Sequence, residues 1–216
     1  MQRKSSISGD DSRMYLAALL RGDTHACATI VRRQIDAGVG MREIFLELFQ
    51  DALYSTGKLW EMNRISVATE HLATSITLSL FHLLYPMLFA VPRTGKSAII
   101  TCTPNEHHYV GARMVADICE LHGWNGYFVG ANTPIEDLCH LINEKRPDVL
   151  AVSLTLYSNL PALLSLLEGV RTITKELPIV IGGQGFSHGG VDVLDEYDNV
   201  TYHGTLDAFE TSLDQG

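Results

Sequence analysis

The chain reads as α plus α/β: an N-terminal four-helix bundle followed by a Rossmann-like (flavodoxin-like) domain on a five-stranded parallel sheet. Three features predict this. From Asp11 to about Ala90 the apolar residues recur at helical spacing, with no strand-like alternation. After Pro92-Arg93-Thr94-Gly95 the pattern changes to short apolar runs alternating with helix-length stretches. Neither half holds an internal repeat or a low-complexity segment. The expected domains are a helical bundle over 11–91 and an α/β domain over 95–216.

Residues 1–10, rich in Ser, Gly and charge, read as a frayed tail. Helices are expected near 11–21, 24–38, 41–61 and 66–90, separated by Gly22-Asp23 and by Gly38-Val39-Gly40. Ser66 is placed to cap the last of them, although Thr69 stands where a capping box would have an acid. Leu72, Ile76, Leu80, Leu83 and Met87 then form one apolar stripe, with His82 as a satisfied core residue. The run Leu72–Val91 has the length of a membrane span. It contains Thr74, Ser75, Thr77, Ser79, His82 and Pro86 and has no flanking basic cluster, which favours a buried bundle helix. Short joints between four helices predict an antiparallel bundle. In the second half, strands are expected at 97–102, 127–129, 148–154, 178–181 and 200–202. Helices are expected at 109–122, 134–145 and 160–175, with one more at the end. This alternation implies a parallel sheet covered on both faces.

Composition narrows the function. The 216 residues carry a net charge of −9, which offers nucleic acid no broad basic surface. Cys27, Cys102, Cys119 and Cys139 have no CxxC spacing, and the polar start has no secretory core. The expectation is therefore four reduced, mostly buried thiols in a cytoplasmic protein with no membrane span.

The chemistry of the second half centres on Glu106-x-His108-x-x-Gly111, in the loop after its first strand, where such sheets place ligands. A neutral imidazole can coordinate a transition metal through one nitrogen while a carboxylate accepts the proton on the other, fixing the tautomer. Gly111 removes a side chain where a helix start must approach something bulky. Composition alone gives roughly 0.09 matches per chain to this pattern. Asp23-x-His25 and Glu120-x-His122 come near it but lack the glycine and sit in helical stretches. In the first half, Trp60 and the pair Glu70-His71 form a second constellation. Taken alone, it would be a core aromatic and a solvated pair.

With Ser153-Leu154-Thr155 and Gly182-Gly183 following in order, residues 95–216 resemble the cobalamin-binding domains. Their pattern is an acidic residue-x-His-x-x-Gly, then Ser-x-Leu/Thr, then Gly-Gly. The resemblance implies a base-off mode in which His108 is the axial cobalt ligand in place of the cofactor's own dimethylbenzimidazole. It also implies that the nucleotide tail runs beside the sheet, in a slot lined by Ser153 and Thr155, with Gly182-Gly183 letting it pass. Glu106 and Gly111 complete this set. Singly, Ser153-x-Thr155 would be two hydroxyls ending a strand and Gly182-Gly183 a turn.

The stretch Leu59–Thr74 is similar to the helical cap of the CarH/LitR group, adenosylcobalamin photoreceptors that regulate transcription. This implies that Trp60 shields the adenosyl group and that Glu70 and His71 contact it. Adenosylcobalamin is then the expected form, ahead of methylcobalamin and hydroxocobalamin. Light would break the cobalt–carbon bond and let the bundle shift against the corrin domain. Two departures matter. At most eleven residues precede the first helix, so the DNA-binding module usual in that group is not expected. Glu61 stands where several members have a cobalt-capturing His. The reading is a B12-dependent light-sensing regulator that signals through a protein partner such as a transcription regulator, as a short anti-repressor would, without direct nucleic-acid binding. A homo-oligomer is open. The alternatives are a corrinoid methyl carrier, a mutase small subunit and a flavodoxin-like module without cobalamin. No residue is assigned a catalytic role. His107 is left between corrin edge and exposed loop, and His188 and His203 stay outside the site.

Overall fold

Ser8 opens the first helix: its hydroxyl accepts from the Asp11 N–H, and α1 runs Gly9–Leu20. The computed structural model describes residues 6–88, 91–187 and 189–215, and the chain divides into two units, Met1–Ala90 and Val91–Gly216. The expectation of a frayed tail over 1–10 is corrected for its second half, residues 1–5 lying outside the described ones. Ile7 is buried, and the Ser6 and Ile7 N–H groups donate to Glu47 Oε2 at 2.8 and 3.0 Å.

Helix α2, Thr24–Asp36, starts at Asp23, whose Oδ1 accepts from the Ala26 N–H. The third helix has three windings: α3 Met41–Glu43, a π-helix over Ile44–Gln50, and α4 Asp51–Glu61. Ser66 caps α5, Val67–Leu80, as the sequence suggests. The single helix expected over 66–90 is instead segmented. A 3-10 turn spans Phe81–Leu83 and α6 spans Tyr85–Leu88, while residues 89 and 90 lie outside the described ones. Pro86 accounts for the break, since it has no N–H to donate to the carbonyl four residues back. The buried face is also displaced from the expected stripe. Ala73, Ile76, Thr77, Leu80, Phe81, Leu84 and Leu88 are buried, whereas Leu72 is 48% exposed and His82 is exposed rather than in the core.

An aromatic cluster holds this unit. Phe49 stacks on Phe81 at 5.7 Å and 5°, with Phe45 and Tyr15 tilted against them. Each fully buried side chain of this kind contributes about 1.5–3 kcal/mol of apolar burial. Among the described residues, no helix is long and apolar enough to cross a membrane.

The second unit is built on β1 Ser97–Cys102, β2 Asn125–Gly130, β3 Val149–Ser153, β4 Ile179–Gly182 and β5 Val200–Tyr202. All pairings are parallel and the order is β2-β1-β3-β4-β5. The connecting helices are α7 Val110–Leu121, α8 Ile135–Lys145, α9 Leu160–Ile173 and, at the end, α10 Leu206–Gln215. Strand side chains alternate between two cores. Ile99, Leu150, Val152, Ile179 and Ile181 pack with Leu138 of α8 and Leu163 and Leu167 of α9. Ala98, Ile100, Cys102, Ala151 and Val180 pack with Ala112 and Ala116 of α7 and Phe209 of α10. Burial on both faces is why these strands read as continuous apolar runs. All four cysteines are free, and Cys27, Cys102 and Cys119 are buried.

Candidate functional site

The strand order reverses between β1 and β3, where the chain leaves β1 toward one edge and returns to build the other. Open α/β sheets bind ligands at that point, outside the carboxyl ends of the strands. The two loops that leave it are residues 103–109 and 154–159. The Thr103 N–H and hydroxyl both donate to the Ser153 carbonyl, at 2.9 and 3.1 Å, which ties the loops together at their base. Asn105 and Asn132 take left-handed backbone conformations, which Asn tolerates through local hydrogen bonding. The Asn105 N–H donates to Asn132 Oδ1 at 3.0 Å.

Glu106 is the hinge of this arrangement and is fully buried. Its Oε1 accepts from His108 Nδ1 at 2.5 Å and from the His108 N–H at 3.2 Å. Its Oε2 accepts from the Thr155 and Leu156 N–H groups at 3.1 and 2.9 Å and from Asn159 Nδ2 at 3.2 Å. Burial alone would raise this carboxyl, but the hydrogen bonds from the His108 ring, Leu156 and the His108 amide outweigh it and hold it at about 2. Glu106 is therefore a carboxylate that can only accept. It fixes the His108 tautomer with hydrogen on Nδ1 and the lone pair on Nε2. The His108 side chain is 51% exposed, so the acceptor is buried and the imidazole it orients reaches solvent.

Gly111 lies at the second position of α7, where a Cβ would meet no atom within 4 Å. The chain's own packing gives no reason for a glycine there. Gly183 is the opposite case. Its φ is +96°, and a Cβ would stand 2.3 Å from the Leu154 carbonyl oxygen, so the close approach of the ends of β3 and β4 requires glycine. Gly182 pairs with Ser153, the last residue of β3, and Thr155 follows one buried residue later, so all these positions lie at the carboxyl edge of the sheet. Thr155 enters the site through its backbone as well, as a donor to Glu106.

Sequence reasoning missed Asn159. Its amide bonds the second oxygen of Glu106 from the start of α9, and only the folded path of the β3 loop reveals this. His107 is exposed. His188 lies outside the described residues. His203 packs edge-on to Phe209, with its Nδ1 buried and without a hydrogen-bond partner. The two near-matches to the motif have local structural duties. Asp23 caps α2, while Glu120 pairs with Arg93 and accepts from the Gly126 N–H.

In the bundle, Trp60 sits in the last turn of α4 and is 46% exposed. Glu70 Oε2 and His71 Nδ1 are 2.6 Å apart on the first turns of α5, and Glu70 Oε1 accepts from the Thr74 hydroxyl at 3.0 Å. The reading of Trp60, taken alone, as a core aromatic does not hold: the residue is 46% exposed.

A parallel α/β domain with a carboxylate-oriented histidine at its switch point, preceded in the chain by a helical unit, has the features of a cofactor-binding protein. The chain belongs to the B12-binding domain family: one profile for the B12 binding domain matches residues 96–209, and a second B12 binding domain profile matches residues 12–85. It is thus a cobalamin-binding protein. It is 30% identical over 122 residues to the HTH-type transcriptional repressor CarA of Myxococcus xanthus, covering 56% of this chain and 42% of that protein. It is 26% identical over 141 residues to CarH, another HTH-type repressor of the same organism, covering 64% and 46%. The chain thus spans less than half the length of either relative. The fold is shared with a Methanosarcina barkeri monomethylamine corrinoid protein, at a TM-score of 0.82 and 13% identity over 96% of this chain and 99% of that one. The methanol:cobalamin methyltransferase complex MtaBC of the same organism aligns at a TM-score of 0.51 and 14% identity, over 98% and 81%.

Proposed function

We propose that the chain is a B12-dependent light-sensing regulatory protein that holds adenosylcobalamin base-off with His108 beneath the cobalt and signals through a protein partner. The observation that carries the lower half of this reading is the Glu106–His108 pair. A buried carboxylate holding Nδ1–H leaves Nε2 as the coordinating atom, and such an outer-shell partner fixes the ring and raises its basicity. The donor set therefore fits a transition-metal ligand. Gly111 fits as well, since open space at its Cβ position is what the approach of a macrocycle requires. Ser153 and Thr155 would donate hydroxyls to the cofactor's nucleotide tail, with Gly182 and Gly183 keeping the edge free of side chains.

The regulatory half of the reading is supported by the relatives: two HTH-type transcriptional repressors share 26–30% identity with this chain over 122–141 residues. When bound, adenosylcobalamin supplies a cobalt–carbon bond that green light can break. Trp60 is assigned to cover the adenosyl group, and Glu70 with His71 to hydrogen-bond it. A ligand altered by light biases one state of the protein over another, which is what a switch needs. The partner is then a transcription regulator or signalling protein. The second reading is a corrinoid methyl carrier, which the fold shared with the monomethylamine corrinoid protein favours.

Absorbance and gel filtration of the adenosylcobalamin-loaded chain, in the dark and after green light, separate the two. A sensor shows a spectral conversion with a change in elution, and Trp60→Ala narrows its preference for adenosyl over methyl forms. Equal preference in both proteins and no light-dependent change in shape would leave the carrier.

A further inference from the structure

The loop that follows β3 sets two large apolar side chains in solvent. Leu156 is 46% exposed and Tyr157 is 50% exposed, just beyond the carboxyl edge of the sheet. Their backbone is nevertheless held in place. The Thr155 and Leu156 N–H groups donate to Glu106 Oε2 at 3.1 and 2.9 Å, and the Leu156 carbonyl accepts from the Asn159 N–H at 2.9 Å. The Tyr157 ring is fixed as well. It stands edge-on to the buried Phe186, with centroids 6.2 Å apart at 81°. A Cβ at Gly190 would stand 2.6 Å from the Tyr157 hydroxyl oxygen, so this glycine, at a φ of +85°, leaves the ring its place. Exposed apolar residues scattered singly need no explanation. A contiguous pair on a fixed loop, at the edge where such sheets bind ligands, marks a place where something apolar docks.

What docks there follows from what lies beside it. Glu106 holds the His108 ring through Oε1 and the Leu156 amide through Oε2, so one buried carboxylate fixes the imidazole and the apolar pair with respect to each other. We infer that Leu156 and Tyr157 form an apolar shelf that carries the corrin ring itself, next to its coordinating histidine. The inference rests on the cobalamin reading and deepens it, adding to the metal ligand a surface for the macrocycle. The rim of a corrin is largely saturated carbon bearing methyl groups, and seating it on the shelf takes apolar area of both out of water. The nucleotide tail, with its ribose and phosphate, calls instead for hydroxyls such as those of Ser153 and Thr155. His108 thus supplies direction, and the shelf supplies burial that does not depend on the tail.

The test titrates the full chain, in the dark, with aquocobalamin and with aquocobinamide, which has the same corrin and no nucleotide tail. Leu156→Ser, Tyr157→Ser and Tyr157→Phe are compared with the parent. The shelf predicts that each serine variant weakens both corrinoids by the same factor, roughly four- to tenfold, the scale of about half a large apolar side chain leaving water. Tyr157→Phe keeps the ring and should bind as the parent does. The bound form should keep the histidine-ligated spectrum in every variant, because Glu106 is held by the Leu156 backbone and not by its side chain. Undiminished affinity for cobinamide in both serine variants would overturn the proposal, and so would a loss confined to cobalamin. A lowered urea midpoint or a lost histidine-ligated spectrum in the serine variants would show the pair to be structural and overturn it equally. A parent that binds neither corrinoid would bring down the cobalamin reading and the shelf together, which sets that failure apart from failure of the shelf alone.

Discussion

Glu106→Gln is the most informative change in the α/β domain, because glutamine keeps the shape and replaces one acceptor oxygen with a donor. The side chain has two orientations. With its NH2 toward the β3 loop it faces three donors, from Thr155, Leu156 and Asn159, and can satisfy none of them. With its carbonyl toward them, it presents NH2 to His108 Nδ1, which forces the ring hydrogen onto Nε2, and leaves one amide, the His108 N–H, unsatisfied. The second orientation wins, since each buried donor left unsatisfied costs about 1–3 kcal/mol. The ring then carries hydrogen on the nitrogen that would coordinate cobalt. Loss of such an outer-shell partner weakens metal binding about 10–100-fold, or about 1.4–2.8 kcal/mol. The native carboxyl lies at about 2 against an ordinary 4.5, so the fold favours the carboxylate over the protonated carboxyl by about 3 kcal/mol, and a stability loss of that order is expected at neutral pH. Titration with cobalamin followed by absorbance gives the first number, and urea unfolding of the cofactor-free protein gives the second. A variant that binds with parental affinity and an unchanged spectrum would refute the tautomer argument, whatever its stability.

Three further substitutions follow from the same geometry. Gly111→Ala meets no protein atom, so the cofactor-free protein should unfold as the parent does while cobalamin binding weakens; undiminished binding would remove Gly111 from the site. Gly183→Ala places a Cβ 2.3 Å from the Leu154 oxygen at a φ of +96°, and should lower stability by at least about 1–3 kcal/mol in a thermal melt. Asp117, buried beside Arg113, is pushed up to about 6 from 3.8, chiefly by burial. Between those values the folded state binds more protons than the unfolded one. Its stability therefore falls as pH rises through that window, by up to about 3 kcal/mol. Asp117→Asn should be the more stable protein at pH 7 and lose that advantage below about pH 4; parallel stability–pH curves would contradict this.

Much of this was readable in advance where one physical signal dominated. The strand β1 falls where an apolar run bounded by turns puts it, because a sheet buried on both faces leaves no other place for such a run. The Glu106–His108 pairing was legible because an acid two residues before a histidine, in the loop after a strand, can bring its carboxylate to the ring nitrogen. What stayed hidden were choices between near-equal alternatives. Helix α5 is apolar around much of its circumference, so periodicity could not choose between the stripe through Leu72 and the neighbouring one through Ala73. Met41, Ile44, Phe45, Leu48, Phe49 and Ala52 recur at spacings that periodicity reads as an ordinary α-helix, so the π winding at Ile44–Gln50 was not legible. Asn159 joins Glu106 across a separation of 53 residues, a contact that only the reversal of strand order creates. Ile7 looked like part of a tail because its anchor, Glu47, is 40 residues away.

The claim on which the account rests is that His108 is the cobalt ligand. It is tested most directly by the absorbance spectrum of the full chain titrated with cobalamin in the dark, parent beside His108→Ala. The account predicts a base-off, histidine-ligated spectrum in the parent, with that signature lost and binding at least tenfold weaker in the variant, about 1.4 kcal/mol. The same spectrum and the same affinity in both proteins would contradict it.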